Sequence, residues 1–318
     1  MHEERTVTCK IVHVAAAVIY RPDGAVLLGQ RAPGTFYPGY WEFPGGKVEA
    51  CETPREALVR ELDEELGIQV LTAHPWLRIE HEYEHAHVCL HFFKVTAWRG
   101  ELRDHVHTAL EWQTPDAFTV GPMLPANGPI LKSLGLPDFY AITQAAGRGV
   151  EQQLARLAVA LERGLRLLQI REPDLDAKTR SDFAQAAVAL CHRFGARVLV
   201  NDDEALARSC GADGLHLPAR RLMSLAQRPD FPWVAASCHN RDELVKAETL
   251  GLDFAVLGPV QTTASHPGQA ALGWEACADL LPRGLPVYAL GGLGRADLAT
   301  AWSKGAHGVA AIRSAWAD

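Results

Sequence analysis

The sequence predicts two domains of unlike architecture, an α+β sandwich over residues 1–136 and an eight-stranded α/β barrel, (β/α)8, over residues 137–318. Three observations predict them. One strongly signalled helix near residues 54–66 has strand-like sequence on both sides. After Pro137, short apolar strands alternate with helical segments in eight successive units, the rhythm of a parallel barrel. At 318 residues, 48% of them hydrophobic, the chain is long enough to fill two cores.

In the first domain, residues 11–20 (IVHVAAAVIY) read as an apolar strand, Pro22-Asp23-Gly24 as a turn and residues 25–30 as a returning strand, which together predict a hairpin. Residues 31–40, with Pro33, Gly34, Pro38 and Gly39, form a loop leading to Trp41-Glu42-Phe43. Residues 77–83 and 87–98 read as strands, and residues 131–134 close a last short helix before Gly135 and Pro137. The central helix starts where Thr53 can act as N-cap, with Pro54 in the first helical position and Glu56 completing a capping box. It stops at Gly67, the usual residue just past a helix C-terminus.

On that helix, Glu61, Glu64 and Glu65 stand at i, i+3 and i+4, so their carboxylates emerge on one face. Like charges so placed repel unless something neutralises them. A hard divalent cation with oxygen ligands does so, and Mg2+ favours a few carboxylates together with waters and substrate phosphates. The alternative for an acidic run is a plainly solvated helix face. The surrounding spacing argues against it: Gly46, five residues, Glu52, seven residues, Arg60-Glu61-Leu62, one residue, Glu64-Glu65, one residue, Gly67-Ile68. This resembles the Nudix hydrolase box at every fixed position, and the family's α+β sandwich agrees with strands on both sides of one helix.

Composition narrows the partners. The net charge is −7, and residues 1–136 carry 12 Lys and Arg against 18 Asp and Glu. Nucleic-acid polymers are bound largely through lysine and arginine on phosphates, so an acidic first half argues against such a partner and leaves a free nucleotide. No apolar run approaches the ~20 residues of a membrane span, and the opening MHEERTVTCK lacks the apolar segment of a signal peptide. A cytoplasmic protein without a membrane partner is expected. Seven cysteines without a CxxC pair suit reduced, mostly buried thiols rather than disulfides or a zinc site. His81, Tyr83, His85 and His87 alternate with Glu80, Glu82 and Glu84. Imidazole suits zinc or nickel, but no established ligand spacing appears there, and an exposed polar strand is the reading.

The resemblance narrows over about residues 10–136 to the MutT-like branch, which removes pyrophosphate from oxidised purine nucleoside triphosphates. EFPGGK at residues 42–47 and LPANGPI at residues 124–130 carry it. It implies that Asn127 reads the purine edge, that Phe43 helps wall the base pocket and that Arg31 sits near the nucleotide. An asparagine amide offers both donor and acceptor to a base edge; between Pro125 and Pro129 it can equally shape a turn. Catalysis implied by the family is attack of water at the β-phosphorus. Glu61, Glu64 and Glu65, with the Gly45 carbonyl, hold Mg2+ or Mn2+, Arg60 orients carboxylates, and Glu61 is the first candidate to accept the water's proton. The family places another metal-binding glutamate before the final helix. Here that segment reads GELRDHVHTALEW, with Val106 or a flanking histidine at the position and Asp104 and Glu111 as the nearby carboxylates.

In the second domain, strands are expected at residues 139–143, 165–171, 197–201, 214–217, 233–237, 254–258, 287–290 and 308–312. Chemistry in such barrels gathers at strand C-termini. The candidates there are Gln169, Arg171, Asn201, Asp202, His216, Ser237, His239, Thr263, Ser265, His266, Gly291, Gly292 and Ser314. QIRE, VNDDEALA, GADGLHL, SCHNRDE, GPVQTTAS and ALGGL in this stretch resemble thiamine-phosphate synthase and its sister, the thiazole tautomerase. The resemblance implies a phosphate held by backbone amides at Gly291, Gly292 and Ser314, and a phosphorylated thiamine-related ligand. Three departures stand out: Pro173 replaces a lysine of the synthase motif, Arg221 a metal-binding aspartate, and His266 a second lysine. With two cations and a metal ligand gone, much of what stabilises a departing pyrophosphate is gone. A ligand-binding barrel without synthase activity is the expectation, with tautomerase-like proton transfer through His239 as a variant of it. The combined expectation is a Mg2+-dependent hydrolase converting 8-oxo-dGTP to 8-oxo-dGMP and pyrophosphate. The alternative is a thiamine-pathway bifunctional protein whose first domain hydrolyses a thiamine-related pyrophosphate and whose barrel is a synthase or tautomerase.

Overall fold

The computed structural model describes residues 11–84, 86–115, 117–262 and 270–317. The chain divides into two compact units, Met1–Gly135 and Leu136–Asp318.

The first unit is built on β1 (Val12–Ile19), whose residues from Ala15 onward are buried. Two further strands are β2 (Val26–Gln30) and β3 (Trp41–Glu42). They are followed by β4 (Gly45–Lys47), β5 (Gln69–Tyr83), β6 (Ala86–Arg99) and β7 (Ala109–Gln113). One sheet runs β4-β1-β6-β5, with β1 and β6 parallel, and the other runs β3-β2-β7. The expected hairpin is therefore not a ladder. Its turn forms, Asp23 Oδ1 accepting the Ala25 amide at 3.1 Å, but only an isolated bridge joins Tyr20 to Val26. Val26 and Leu28 instead share an apolar cluster with Ala16 and Val18 across the two sheets. Both strands are apolar on two faces, a pattern that leaves open whether a neighbour lies beside a strand or across from it.

Strand β5 begins eight residues before the expected 77–83 segment. It is an edge strand, where Pro75 costs no ladder hydrogen bond, and its register shifts between Pro75 and Arg78. Strand β7 overlaps the end of the GELRDHVHTALEW segment, where no strand is expected; it is short and only partly buried, and is stabilised by pairing with β2.

Helix α1 (Pro54–Leu66) has the expected capping box, the Thr53 amide donating to Glu56 Oε2 at 2.8 Å, and a left-handed C-cap at Gly67. Ala57, Leu58, Leu62 and Leu66 bury one stripe against Ala15, Ala17, Phe93 and Val95. Burying that stripe turns Arg60, Glu61 and Glu64 away from the apolar cluster. On the other face of the β1/β6 sheet lies helix α2 (Gly128–Leu134), whose Ile130 and Leu134 join Ala16, Phe43 and Phe92. It starts earlier than the expected 131–134 because Pro129 is accepted in a first helical turn.

In the second unit, β8 (Phe139–Ile142), β9 (Leu167–Ile170), β10 (Arg197–Asn201) and β11 (Gly214–Leu217) are followed by β12 (Trp233–Cys238), β13 (Phe254–Leu257), β14 (Val287–Leu290) and β15 (Gly308–Ala311). All pair in parallel and close into a barrel, β15 returning to β8. Each lies within two residues of its expected position at either end. The interior is filled by aromatic side chains, Tyr140 lying edge-on to Phe254 at 5.2 Å, whereas a larger outer cluster seats the helices. Closure is sealed by His307 Nε2 against the Leu136 carbonyl at 3.0 Å and by Trp316 Nε1 donating to the Ile142 carbonyl at 2.8 Å. Among the described residues no helix is long and apolar enough to cross a membrane.

Candidate active site and ligand site

The outer face of α1 is organised by Arg60. Its Nε and Nη2 donate to the two carboxylate oxygens of Glu52 at 3.0 and 3.1 Å, and its Nη1 donates to Glu61 at 2.9 Å and Glu64 at 3.3 Å. Nη2 also bonds the Lys47 carbonyl at 3.1 Å, tying helix to β4. Glu61 lies flat against Gly46, where an added Cβ would sit 2.2 Å from its carboxyl carbon. Next to it the Gly45 amide donates to Glu65 Oε2 at 3.0 Å; Gly45 has φ 141°, and a Cβ there would strike the Ala15 carbonyl.

Glu42 joins this group, a residue to which the sequence assigned no role. Arg31 Nη1 bonds both of its oxygens at 2.7 and 2.6 Å. Burial pushes the Glu65 carboxyl up to about 8, against the pull of the Gly45 amide, and the charges of Glu42 and Glu61 raise it further. Burial likewise raises Glu42, opposed by Arg31. Glu61, Glu65, Glu42 and Arg31 thus form one electrostatic cluster. Glu64 lies outside it, 60% exposed on Arg60. The two residues expected at the base are both buried. Phe43 is 3% exposed and packs edge-on to Phe92 at 5.8 Å, and Asn127, 2% exposed, ends a single 3-10 turn that begins at Pro125. Phe43 and the neighbouring Ala126 share a cluster on the opposite face of the β1/β6 sheet from α1, with Tyr83 Oη accepting the Ala126 amide at 3.4 Å.

The barrel encloses a cavity of about 980 Å³ lined by Gln169, Arg171, Asn201, Asp202, Ser237, His239, Gly291, Gly292 and Ser314 among others. Ten of the thirteen candidates at the strand C-termini therefore meet in one space, His216 among them; Thr263, Ser265 and His266 lie outside the described residues. Beneath the cavity runs a buried polar chain: Gln169 Nε2 donates to Tyr140 Oη at 3.2 Å, Tyr140 Oη lies 3.3 Å from His216 Nδ1, and His216 Nε2 lies 2.9 Å from Ser237 Oγ. Complete burial and the charge of Arg171 hold His216 down to about 3, so it is neutral. His239, half exposed, pairs through Nδ1 with Glu243 at 3.1 Å.

Comparison with known proteins gives each unit its relatives. The family described as Thiamine monophosphate synthase matches residues 139–315, and the NUDIX domain matches residues 10–134. The chain belongs to the thiamine monophosphate synthase family and carries a Nudix hydrolase domain before it. A putative thiamine-phosphate synthase of Geobacter sulfurreducens is 37% identical over 189 residues, covering 57% of this chain and 87% of that protein. For the Nudix unit, the CTP pyrophosphohydrolase of Escherichia coli is 41% identical over 124 residues, 39% of this chain and 91% of that protein. The 8-oxo-dGTP diphosphatase of Proteus vulgaris is 43% identical over 95 residues, 30% of this chain and 85% of that protein.

Nudix hydrolases in general need a divalent metal, and the residues of this Nudix unit fit one. Its donors are all oxygen, as a hard cation prefers, and the half-buried Glu65 is hindered from ionising chiefly by burial, with the charges of Glu42 and Glu61 adding to it, an effect that a cation would offset. In the segment expected to supply one more glutamate, Glu101 is exposed. Asp104 caps its own loop, accepting the Val106 and His107 amides at 3.2 and 2.8 Å, and Glu111 is exposed on β7. The His107 imidazole instead lies buried against Gly29.

The barrel donors do not fit a metal ion. Asp202 Oδ1 takes Arg221 Nη1 at 3.1 Å and Oδ2 takes Arg220 Nη2 at 3.3 Å, while Arg221 Nη2 bonds Glu204. Guanidinium groups already neutralise the carboxylate.

Two outcomes follow from these geometries. Gly46→Ala should displace the Glu61 carboxylate and cut hydrolytic turnover on the order of 10²-fold with little change in melting temperature, measured by steady-state pyrophosphate release. His216 stays neutral when folded but takes up a proton near its ordinary 6.5 when unfolded. Its contribution to stability is therefore complete above about pH 6.5 and is lost as pH falls toward about 3, at roughly 1.4 kcal/mol per pH unit. Urea unfolding of the wild type and of His216→Gln should differ by that slope between about pH 6 and pH 4.

Proposed function

We propose that the Nudix unit is a Mg2+-dependent pyrophosphohydrolase of oxidised purine nucleoside triphosphates, converting 8-oxo-dGTP to 8-oxo-dGMP and pyrophosphate. The carrying observation is the half-buried pair Glu61 and Glu65 held at the Gly45-Gly46 backbone, with the charge of Glu42 beside them. When bound, Mg2+ or Mn2+ supplies the positive charge that polarises the phosphates and makes water a competent nucleophile. Glu61, Glu64 and Glu65, with the Gly45 carbonyl, are the groups that hold it. Arg60 keeps Glu52, Glu61 and Glu64 in place between turnovers. Glu61 accepts the proton of the attacking water, and the β-phosphorus to oxygen bond on the nucleoside side breaks. Arg31 holds the Glu42 carboxylate at the cluster's edge and faces the nucleotide. Asn127 reads the purine edge, and Phe43 supports its pocket from the core.

A second reading is favoured by the barrel on the same chain, in which the Nudix unit hydrolyses a thiamine-related pyrophosphate. Pyrophosphate or phosphate release should be measured with 8-oxo-dGTP, dGTP, CTP and thiamine diphosphate, all with Mg2+. The expected order places 8-oxo-dGTP first, with Glu64→Gln/Glu65→Gln losing on the order of 10²-fold or more. Fastest turnover of CTP or of thiamine diphosphate would reassign the substrate; no turnover above the double variant would end both hydrolase readings.

For the barrel we propose binding of a phosphorylated thiamine-related ligand without divalent metal and without synthase turnover. Support comes from the occupation of Asp202 by Arg220 and Arg221, and from Arg171, Arg220 and Arg313 around the cavity. Calorimetric titration with thiamine monophosphate should give the same affinity with Mg2+ and with EDTA, and a thiamine-phosphate synthesis assay should be blank. Metal-dependent binding or robust product would overturn this reading.

A further inference from the structure

We propose that His13, Cys89 and His91 form a transition-metal site, for Zn2+ foremost, independent of the carboxylates on α1. The parallel pairing of β1 and β6 sets His13 opposite Cys89 and Ala15 opposite His91. Side chains alternate along a strand, so Cys89 and His91 point to one face, and His13 shares it with Ala15 and Ala17, which pack on α1. Three donors from two strands thereby meet. His13 Nδ1 lies 3.0 Å from His91 Nε2, and Cys89 Sγ lies 3.7 Å from that same nitrogen. All three donor atoms fall within 4.8 Å of one another, and no other trio of histidine, cysteine or carboxylate donors among the described residues does so.

The two nearest of these separations, 3.0 and 3.7 Å, are within a few tenths of an ångström of those in a coordination polyhedron. A tetrahedral ion with metal–nitrogen bonds near ~2.0 Å and metal–sulfur bonds near ~2.3 Å holds two nitrogens roughly 3.3 Å apart and nitrogen and sulfur roughly 3.6 Å apart. Two imidazoles and a thiolate suit zinc, whereas Mg2+ takes oxygen. Burial also runs the right way: Cys89 is 1% exposed and anchors the site, while His13 is exposed and leaves an entrance and a fourth position for water. An ion here cross-links β1 to β6, the two central strands of the sheet that carries α1. The competing account is a hydrogen-bonded histidine pair beside a thiol, with no affinity for metal.

Cobalt separates the two accounts. The full chain, carrying Glu64→Gln/Glu65→Gln to silence α1 and stripped of metal, is titrated with CoCl2 in excess Mg2+ and then with ZnCl2. The expected result is about one equivalent of cobalt with tetrahedral visible bands and a thiolate-to-cobalt charge-transfer band, all displaced by zinc. Cys89→Ser should remove the charge-transfer band, and His13→Ala, at an exposed position, should weaken affinity at least ~10-fold. Circular dichroism melts report whether each variant folds. Should Cys89→Ser fail to fold, the parent spectrum and His13→Ala carry the test. An octahedral spectrum without a thiolate band, or cobalt affinity unchanged in His13→Ala, would overturn the proposal.

Discussion

Carboxylates that repel one another along α1 set the terms for everything placed around that helix. Arg60 spreads a single guanidinium over Glu52, Glu61 and Glu64, and the Gly45 amide takes Glu65. The apolar stripe of Leu58, Leu62 and Leu66 keeps the helix seated while its outer face is strained by charge. At the half-buried edge of the cluster, Glu65 feels the charges of Glu42 and Glu61 on top of the cost of its own burial. A divalent charge beside it would offset both, since a group that is hindered from ionising alone ionises more readily beside a cation.

The barrel solves a related problem with opposite means. Asp202 sits at the mouth with φ 57°, a backbone conformation rare for a residue with a side chain, and its charge is met by Arg220 and Arg221. A guanidinium is a permanent cation that needs no uptake from solution. The same chain thus contains a crowded carboxylate cluster and a carboxylate matched to two guanidinium groups, and this distinction decides which unit is expected to depend on metal.

Much of this was legible in the sequence, for reasons that can be traced to particular residues. The caps at Thr53 and Gly67 and the i, i+3, i+4 glutamates are local signals, so α1 and its acidic face could be read directly. The barrel strands are short apolar runs punctuated by helices, and β8 to β15 fall where that rhythm puts them. Pairing was harder. Nothing local in residues 11–30 distinguishes a strand beside β1 from a strand facing it, so β1 and β2 went to different sheets. Proline within β5 hid half of an edge strand. Glu42 and the meeting of Arg221 with Asp202 depend on contacts between distant segments, as does the His13, Cys89 and His91 cluster. There the cysteine and its histidine partners lie on two strands, and no ligand spacing appears along either one.

The return of β15 to β8 has a consequence for synthesis. Trp316 bonds a carbonyl 174 residues earlier in the chain, and the strand before it supplies the neighbour that β8 lacks on one side. The Nudix unit contains all its own strand partners and can fold while the ribosome is still at work. The barrel cannot, because β8 keeps an unpaired edge until the last strand has emerged. Chains cut short before β15 would present that open edge to one another, so the quality of the second unit is decided when that one strand emerges and pairs.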